Sequence, residues 1–276
     1  MSYLGRPIKR FEDARLITGN GVFIDDIKLP DMLHAVVVRS DHAHARIRSI
    51  DVSAARKLAG VVEVLTGADL AGALPDIPIR PMGDRAVEVF NAARHPVLAR
   101  DKVCYVGQPV AVVVVAGNPY VARDGAELVA VDYELLTPVI DPDTATNENM
   151  PVIHPEFGTN VSMRSVQEGG DIEQAFAQAD HVVRQKYRVP RLAPSPLETR
   201  GVVADYDSTT DLLTVWDSTQ APHQVKRYLA QMLERPEETI RVVAPDVGGS
   251  FGVKDCLFPE DALMPFLSLR LGKPVK

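Results

Sequence analysis

The run PVAVVVVA, from Pro109 to Ala116, constrains the possible folds of this chain more than any other segment. Valine favours strands, and the run is apolar at consecutive positions rather than at alternate ones, which is typical of a strand buried on both faces. Its length suits a strand and is far too short to span a bilayer. The sequence therefore predicts a sheet with one central strand that is covered on both sides.

Shorter patterns on either side of this run complete a first domain. Strands are predicted at LHAVVVRS, ARIRSIDV, VVEVL and VDYELLTPVID, and helices at SAARKLAG and from Asn118, as N-cap, to about Val131. Residues 71–96, rich in proline and glycine, predict a long loop. We expect an ordered arm over residues 1–17 and a β-rich domain over residues 18–140.

A polar, proline-punctuated stretch over residues 141–165 predicts a linker to a second domain over residues 166–276. In that domain Asp171 caps a short predicted helix, HVVRQKYRV alternates as a strand, and GVVADYDSTTDLLTVWDST predicts a hairpin. An apolar stripe predicts a helix in APHQVKRYLAQM, and a further helix is expected to end at Gly272, before the strand-like KPVK. If that domain is cut in mid-sheet, the strand TIRVVAP or the helix after it should expose apolar surface.

Charge and cysteine content exclude several classes of protein. A formal net charge of −7 over 276 residues argues against nucleic acid or an anionic membrane as the main partner. Cys104 and Cys256 are too few for a disulfide framework or a cysteine metal site, which favours a reducing compartment. The N-terminus lacks the pattern of an export signal, so we expect a cytoplasmic protein.

The stretch DVGGSFGVKD, from Asp246 to Asp255, is the candidate binding element. A glycine run between a strand and a helix is most often a bulged turn, but it can also present backbone N–H groups to an oxygen ligand. Its spacing matches neither a phosphate loop nor a dinucleotide fingerprint, which disfavours a nucleotide-binding protein. From the residues alone, both interpretations stay open.

Other polar residues carry weaker signals. His42 and His44 lie two apart with too few neighbouring ligands for a metal, and Cys104 is predicted to be buried and inert. Cys256 has no accompanying base. Gln220 follows a predicted strand where Ser218 and Thr219 suffice to cap the next helix, so its amide is free to reach into a cleft.

Seven motifs in order resemble one family. GRPIKRFEDARLITGNGVFIDDI, RSDHAHARI, VGQPVAVVVVA, YELLTPVID, LETRGVVADYD, DSTQAPH and VGGSFGVKD are similar to segments of the molybdenum-binding large subunits of the xanthine dehydrogenase and aldehyde oxidase superfamily, especially the bacterial carbon monoxide dehydrogenase type. The resemblance implies an α+β chain: an N-terminal α/β hammerhead domain, then the first part of a mixed α/β molybdopterin-binding domain.

The resemblance also implies site residues. The family's glycine loop packs against the metal centre, and its glutamine donates to an oxo ligand, which implies cofactor binding by Gln220, Gly248, Gly249, Ser250, Phe251 and Gly252. Ser250 departs from the glycine of many relatives. Asp255 occupies the place of an acid that binds substrate in purine-oxidising relatives. No residue of this chain is implied as a direct metal ligand.

The resemblance implies an assembly as well. The expected cofactor is molybdenum-molybdopterin in its cytosine dinucleotide form, with FAD on a medium subunit and [2Fe–2S] clusters on a small subunit. The family's catalytic base, a glutamate, lies beyond the region that this chain matches, so no catalytic residue is expected here. We expect a chain that oxidises an aldehyde, N-heterocycle or CO-like small molecule only with a complementing C-terminal chain. A non-catalytic remnant or scaffold for assembly is the alternative.

Overall fold

The computed structural model describes residues 3–79 and 87–276. Within these ranges the chain forms eleven strands and six α-helices. The strands are β1 (Leu33–Arg39), β2 (Ala45–Asp51), β3 (Val61–Thr66), β4 (Val87–Phe90), β5 (Lys102–Val103), β6 (Pro109–Ala116), β7 (Ala130–Leu135), β8 (Met163–Ser165), β9 (Val202–Asp207), β10 (Leu212–Asp217) and β11 (Ile240–Val243). The helices are α1 (Asp13–Ile17), α2 (Ser53–Lys57), α3 (Pro119–Glu127), α4 (Ile172–Ala177), α5 (Pro222–Met232) and α6 (Pro259–Leu271).

The valine run is the central strand β6, as predicted. It pairs antiparallel with β1 on one side and with β3 on the other. Val112 and Val114 belong to the main hydrophobic core, whereas Val113 and Val115 belong to a second core beneath α2 and α3. Because alternate side chains enter different cores, both faces of β6 must be apolar.

A second sheet contains the predicted hairpin. β9 and β10 pair antiparallel, and β11 joins β10 in parallel. Val275, in the KPVK segment, bridges Leu33 of β1 and Ala204 of β9. The backbone of that segment therefore joins the two sheets, and one continuous core runs beneath both.

The helices of the second domain follow their sequence patterns. Helix α5 buries Val225, Tyr228, Leu229 and Met232 on one stripe. Helix α6 ends at Gly272, whose φ of 61° is left-handed and suits a residue without a Cβ. Helix α4 begins at Asp171, whose carboxylate accepts a hydrogen bond from the Gln174 amide at 2.9 Å.

Two boundaries differ from prediction. The helix from Pro119 ends at Glu127 rather than near Val131, because residues from Ala130 onward form β7 and pair with β2. The predicted loop over residues 71–96 contains β4, which pairs with β8 in the predicted linker. Residues 80–86 of that loop lie outside the described residues. The domain boundaries at residues 17, 140 and 165 stay predictions.

The predicted strand HVVRQKYRV is wrong, since residues 181–189 join no sheet within the described part of the chain and are exposed. The expected apolar surface is also misplaced. Helix α6 is largely buried, and in β11 Ile240 is buried. Exposed apolar side chains lie instead on α4 and along the segment after it.

Candidate functional site

The glycine loop, residues 246–255, connects β11 to α6 and has an unusual backbone path. Gly249, Phe251 and Gly252 have φ values of 97°, 51° and 89°, all in the left-handed region. Left-handed residues in a loop can turn neighbouring backbone N–H groups toward an anion, as they do in phosphate-binding nests. Phe251 adopts this path although it is not glycine, and its side chain is 73% exposed.

Four consecutive amides in the middle of this loop have no acceptor among the described residues. These are the N–H groups of residues 249–252, which donate to no acceptor within the described ranges. The next amide, of Val253, donates to the Ser250 carbonyl at 3.0 Å and closes the turn. Four consecutive donors are therefore available to an oxygen acceptor.

The start of the loop is tied to the N-terminal arm. Asp246 accepts hydrogen bonds from the Arg15 guanidinium, including one of 2.6 Å from Nη2, and from the Val22 amide at 2.8 Å. These hydrogen bonds lower the pKa of the Asp246 carboxyl to about 2. The arm therefore packs on the loop rather than running free.

The end of the loop is held by a buried ion pair that sequence reasoning missed. The Lys254 side chain is fully buried, and its Nζ donates to Glu198 Oε2 at 2.8 Å and to Ser218 Oγ at 2.7 Å. Ser218 Oγ donates in turn to Glu198 Oε2 at 2.7 Å. Burial alone would raise the pKa of Glu198, but hydrogen bonds from Lys254, Ser218 and two amides outweigh it and lower the pKa. The only sequence signal was the position of Lys254 within the loop.

Gly248 is required by this ion pair. A Cβ on Gly248 would lie 2.5 Å from Glu198 Cβ, closer than real side chains approach. The Gly248 amide donates to Glu198 Oε2 at 2.8 Å, and its carbonyl accepts from the Glu198 amide at 3.2 Å. The absence of a side chain at Gly248 therefore makes room for Glu198 and not for an external ligand.

Gln220 lies beside the loop, so the structure brings these predicted site residues together. Its backbone amide donates to the Lys254 carbonyl at 3.0 Å, as does Thr219 Oγ1 at 3.0 Å. Ser250 Oγ donates to Gln220 Oε1. With its oxygen engaged, the Gln220 side chain presents its NH₂ group as the remaining donor. Asp255 is exposed just past Lys254.

The donor set fits an oxygen-rich cofactor. Four free amides and one side-chain NH₂ offer hydrogen bonds but no acceptor and no soft ligand, which suits oxo, phosphate or carbonyl oxygens. Among the residues that the structure describes, no group of three or more His, Cys, Asp or Glu side chains is placed to hold a metal ion.

Two buried carboxyl groups lie behind the site. Asp217, the last residue of β10, has a buried Oδ2 with no hydrogen-bond partner in the described chain. Burial raises the pKa of Asp217 to about 7, although the charges of Arg200 and Lys254 oppose it. Burial and the neighbouring Asp217 also raise the pKa of Asp261, in the first turn of α6. Asp217 directly precedes Ser218, so this titrating carboxyl lies next to the hydrogen-bonded network of Ser218, Glu198 and Lys254.

The remaining signals from the sequence have structural explanations. His44 Nδ1 lies 2.8 Å from the Thr137 carbonyl, and the His42 ring packs edge-on against Tyr133. Cys104 is half-buried, and burial raises the pKa of its thiol. Cys256 is exposed. Within the described residues, no helix is long and apolar enough to cross a membrane.

Two family models match the chain. Residues 18–137 match the a/b hammerhead domain of aldehyde oxidase and xanthine dehydrogenase, and residues 153–276 match the molybdopterin cofactor-binding domain. The second range contains both the glycine loop and Gln220.

Curated relatives share this similarity over nearly the whole chain. The nicotine 6-hydroxylase large subunit of Paenarthrobacter nicotinovorans is 43% identical over 99% of this chain and 33% of the relative. The carbon monoxide dehydrogenase large chain of Afipia carboxidovorans is 38% identical over 99% of this chain and 34% of the relative. The chain therefore spans about a third of the length of these relatives.

Solved structures confirm the fold. Quinoline 2-oxidoreductase from Pseudomonas putida 86 matches with a TM-score of 0.90 and 40% identity, over 98% of this chain and 34% of that chain. CO dehydrogenase from Oligotropha carboxidovorans matches with a TM-score of 0.84 and 37% identity, over 98% of this chain and 34% of its own.

Proposed function

Because the chain belongs to the aldehyde oxidase and xanthine dehydrogenase family, we propose that it forms the N-terminal part of the large subunit of a molybdenum hydroxylase. The proposed substrate is an aldehyde, an N-heterocycle or a CO-like molecule, oxidised with oxygen from water. Since the chain spans about a third of its relatives, activity requires the polypeptide that matches the rest. The observation that carries the proposal is the row of free amides beside Gln220, inside a molybdopterin cofactor-binding domain.

The chain's own residues act as fixed donors. We assign the amides of Gly249, Ser250, Phe251 and Gly252, with the Gln220 NH₂, to oxygen atoms of the cofactor. The buried ion pair holds these donors in position, so they need no reorganisation during a reaction. The cofactor supplies the redox chemistry when it is bound.

Gly248 has a different role from its neighbours. Its amide is engaged by Glu198, so we assign it to spacing and not to donation. For Asp255 we propose a place in the substrate pocket, since its exposed carboxylate lies directly after the loop. Its charge would select substrates that offer an N–H donor.

The proposed assembly extends beyond this chain. The relatives are named as large subunits or large chains, which supports smaller partner subunits. We propose molybdopterin in its cytosine dinucleotide form, FAD on a medium subunit and [2Fe–2S] clusters on a small subunit. Electrons would leave the site through those groups.

The proposal is tested on the assembled enzyme. The chain is co-expressed with the polypeptide matching the remaining length, and the complex is assayed for molybdenum, released pterin dinucleotide, and dye reduction with aldehydes and N-heterocycles. We expect Gln220→Ala to retain molybdenum but lose about 100-fold in kcat, as for a lost donor in an oxyanion hole. Gln231→Ala, an exposed glutamine on α5, is the matched control and should leave kcat unchanged.

Ser250→Ala provides a second test. It removes the hydroxyl that holds Gln220 Oε1 and should lower kcat less than Gln220→Ala does. A complex without molybdenum, or equal kcat in the Gln220→Ala and Gln231→Ala variants, would contradict the proposal. The first outcome would leave the loop as a bulged turn in a non-catalytic scaffold.

A further inference from the structure

Residues 181–189, HVVRQKYRV, have the sequence of a strand but join no sheet within the described part of the chain. Val183, Gln185, Tyr187 and Val189 alternate with Val182, Arg184, Lys186 and Arg188, so an extended chain has one mainly apolar face and one mainly cationic face. The side chains of Val183, Tyr187 and Val189 are 83%, 78% and 87% exposed. A strand with one apolar face is normally covered on that face.

The cationic face is already anchored. Lys186 Nζ and Arg188 Nη2 lie 2.9 Å and 3.0 Å from Asp143 Oδ2, and Arg188 also lies 3.6 Å from Asp141 Oδ1. Alternate side chains point to opposite sides of an extended segment. These ion pairs therefore turn Val183, Tyr187 and Val189 away from the linker and toward solvent.

The backbone of the segment is also unpaired. The backbone of residues 180–197 forms no hydrogen bond with the backbone of any described residue. An extended stretch with free N–H and C=O groups is a template for another strand. The backbone and the exposed apolar side chains of the segment therefore have no partner among the described residues.

The relatives indicate what covers the segment. About two thirds of the length of each relative has no counterpart in this chain. The quinoline 2-oxidoreductase chain is about three times as long as this chain and matches 98% of it. The unmatched residues are fewer than the nine of the segment, so at least part of the segment has a counterpart in that structure. The path of the segment is thus compatible with a complete large subunit.

Pairing with a second copy is disfavoured by charge. In a strand pair made from two copies of the segment, Arg184, Lys186 and Arg188 would lie on one face opposite their own counterparts. Like charges directly across a strand pair are destabilising. The occupant must instead bring an apolar face and a sheet edge of different sequence.

We propose that residues 181–189 are a docking strand for the polypeptide that matches the remaining two thirds of the relatives. The strand adds to a sheet edge of that polypeptide, and Val183, Tyr187 and Val189 are covered by it. The inference rests on the proposed function, because it takes the occupant to be the rest of the same large subunit.

Hydrogen exchange provides the first test. Exchange of amides 181–189 is measured in the chain alone and in the co-expressed complex, or in the full-length subunit if the reading frame continues. We expect exchange in the assembled state to slow by about 100-fold or more at hydrogen-bonded positions. Equal exchange in both states would overturn the proposal.

Substitution provides the second test. Val183→Ser, Tyr187→Ser and Val189→Ser are combined, and Arg184→Ser is the control, since Arg184 is exposed and lies on the opposite face. Both variants should fold, because the altered side chains are exposed. The yield of purified complex should be about tenfold lower for the triple variant than for the parent, whereas the yield for the control should equal that of the parent. Equal recovery, or a dimer of the chain alone that the triple variant disrupts, would overturn the proposal.

Neither measurement requires molybdenum or turnover. A docked complex without molybdenum would support the docking strand while contradicting the hydroxylase. An active enzyme in which the amides of residues 181–189 exchange freely would support the hydroxylase while contradicting the docking strand.

Discussion

Lys254→Met tests whether the buried ion pair determines the form of the glycine loop. Methionine preserves most of the volume of lysine but removes the charge that contacts Glu198 and Ser218. Glu198 is then left as a partly buried carboxylate with hydrogen bonds only from Ser218 and two amides. Removing one member of a buried pair costs about 3–5 kcal/mol, because the other charge is left uncompensated.

The expected magnitude lies at the low end of that range. The Glu198 side chain keeps 11% exposure and three other donors, so water and hydrogen bonds compensate part of its charge. We expect a loss of about 3 kcal/mol in the free energy of unfolding. At about 2–4 °C per kcal/mol, the Tm should fall by about 6–12 °C. Lys57→Met, an exposed lysine in α2, is the control and should change stability by less than about 0.5 kcal/mol.

Two further measurements separate a charge effect from a packing effect. The double variant Glu198→Gln with Lys254→Met contains no buried charge at this place, so it should be more stable than Lys254→Met alone. In the parent, the lowered pKa of Glu198 means that the ion pair stabilises above the pKa of the unfolded chain, and this stability is lost as pH falls through the lower folded pKa. The cost of Lys254→Met should therefore be smaller at pH 4 than at pH 7.

Urea unfolding followed by circular dichroism measures all of these variants. A cost below about 1 kcal/mol for Lys254→Met at pH 7 would refute the reasoning. A double variant no more stable than the single one would also refute it, since the loss would then come from packing.

Three other changes test separate parts of the fold. Gly248→Ala places a Cβ 2.5 Å from Cβ of the partly buried Glu198 and should cost about 1–3 kcal/mol in urea unfolding, whereas Gly169→Ala, in open space, should cost far less; equal costs would contradict the close approach. Burial raises the pKa of Asp217 to about 7, so this carboxyl contributes stability that is lost as pH rises from about 4 to 7, and Asp217→Asn should remove that contribution from the pH profile. Parallel pH profiles would show that Asp217 is not the group responsible. Leu229→Ala in the core should cost about 2–5 kcal/mol, and Leu192→Ala, on an exposed side chain, within about 0.5 kcal/mol; similar Tm values would contradict this arrangement of the core.

Features carried by neighbouring residues were predictable from the sequence. The valine run of β6, the stripe of α5 and the glycine after α6 each contain their own signal, and each is found in the structure. Residues 181–189 show where such signals stop. Their alternation predicts a strand, but it does not supply a second strand to pair with it, and residues 181–189 join no sheet within the described part of the chain.

Pairings between distant residues were not predictable. Strand β4 pairs with β8 across more than 70 residues, and neither segment identifies the other. Asp261 carries a local signal, since its carboxylate accepts from the Phe258 amide at the start of α6. Nothing local indicates that it lies close enough to Asp217 to raise its pKa.

The site combines both kinds of information. Glycine makes the left-handed path of the loop possible, which is why the loop is visible in the sequence. Glycine does not select that path, because it permits many others at similar cost. Selection comes from Lys254, which binds Glu198 and Ser218 from two other segments and whose carbonyl accepts from Gln220. The same glycines without this buried ion pair should form a flexible turn, so a search for such sites should require the lysine and the glutamate as well as the glycines.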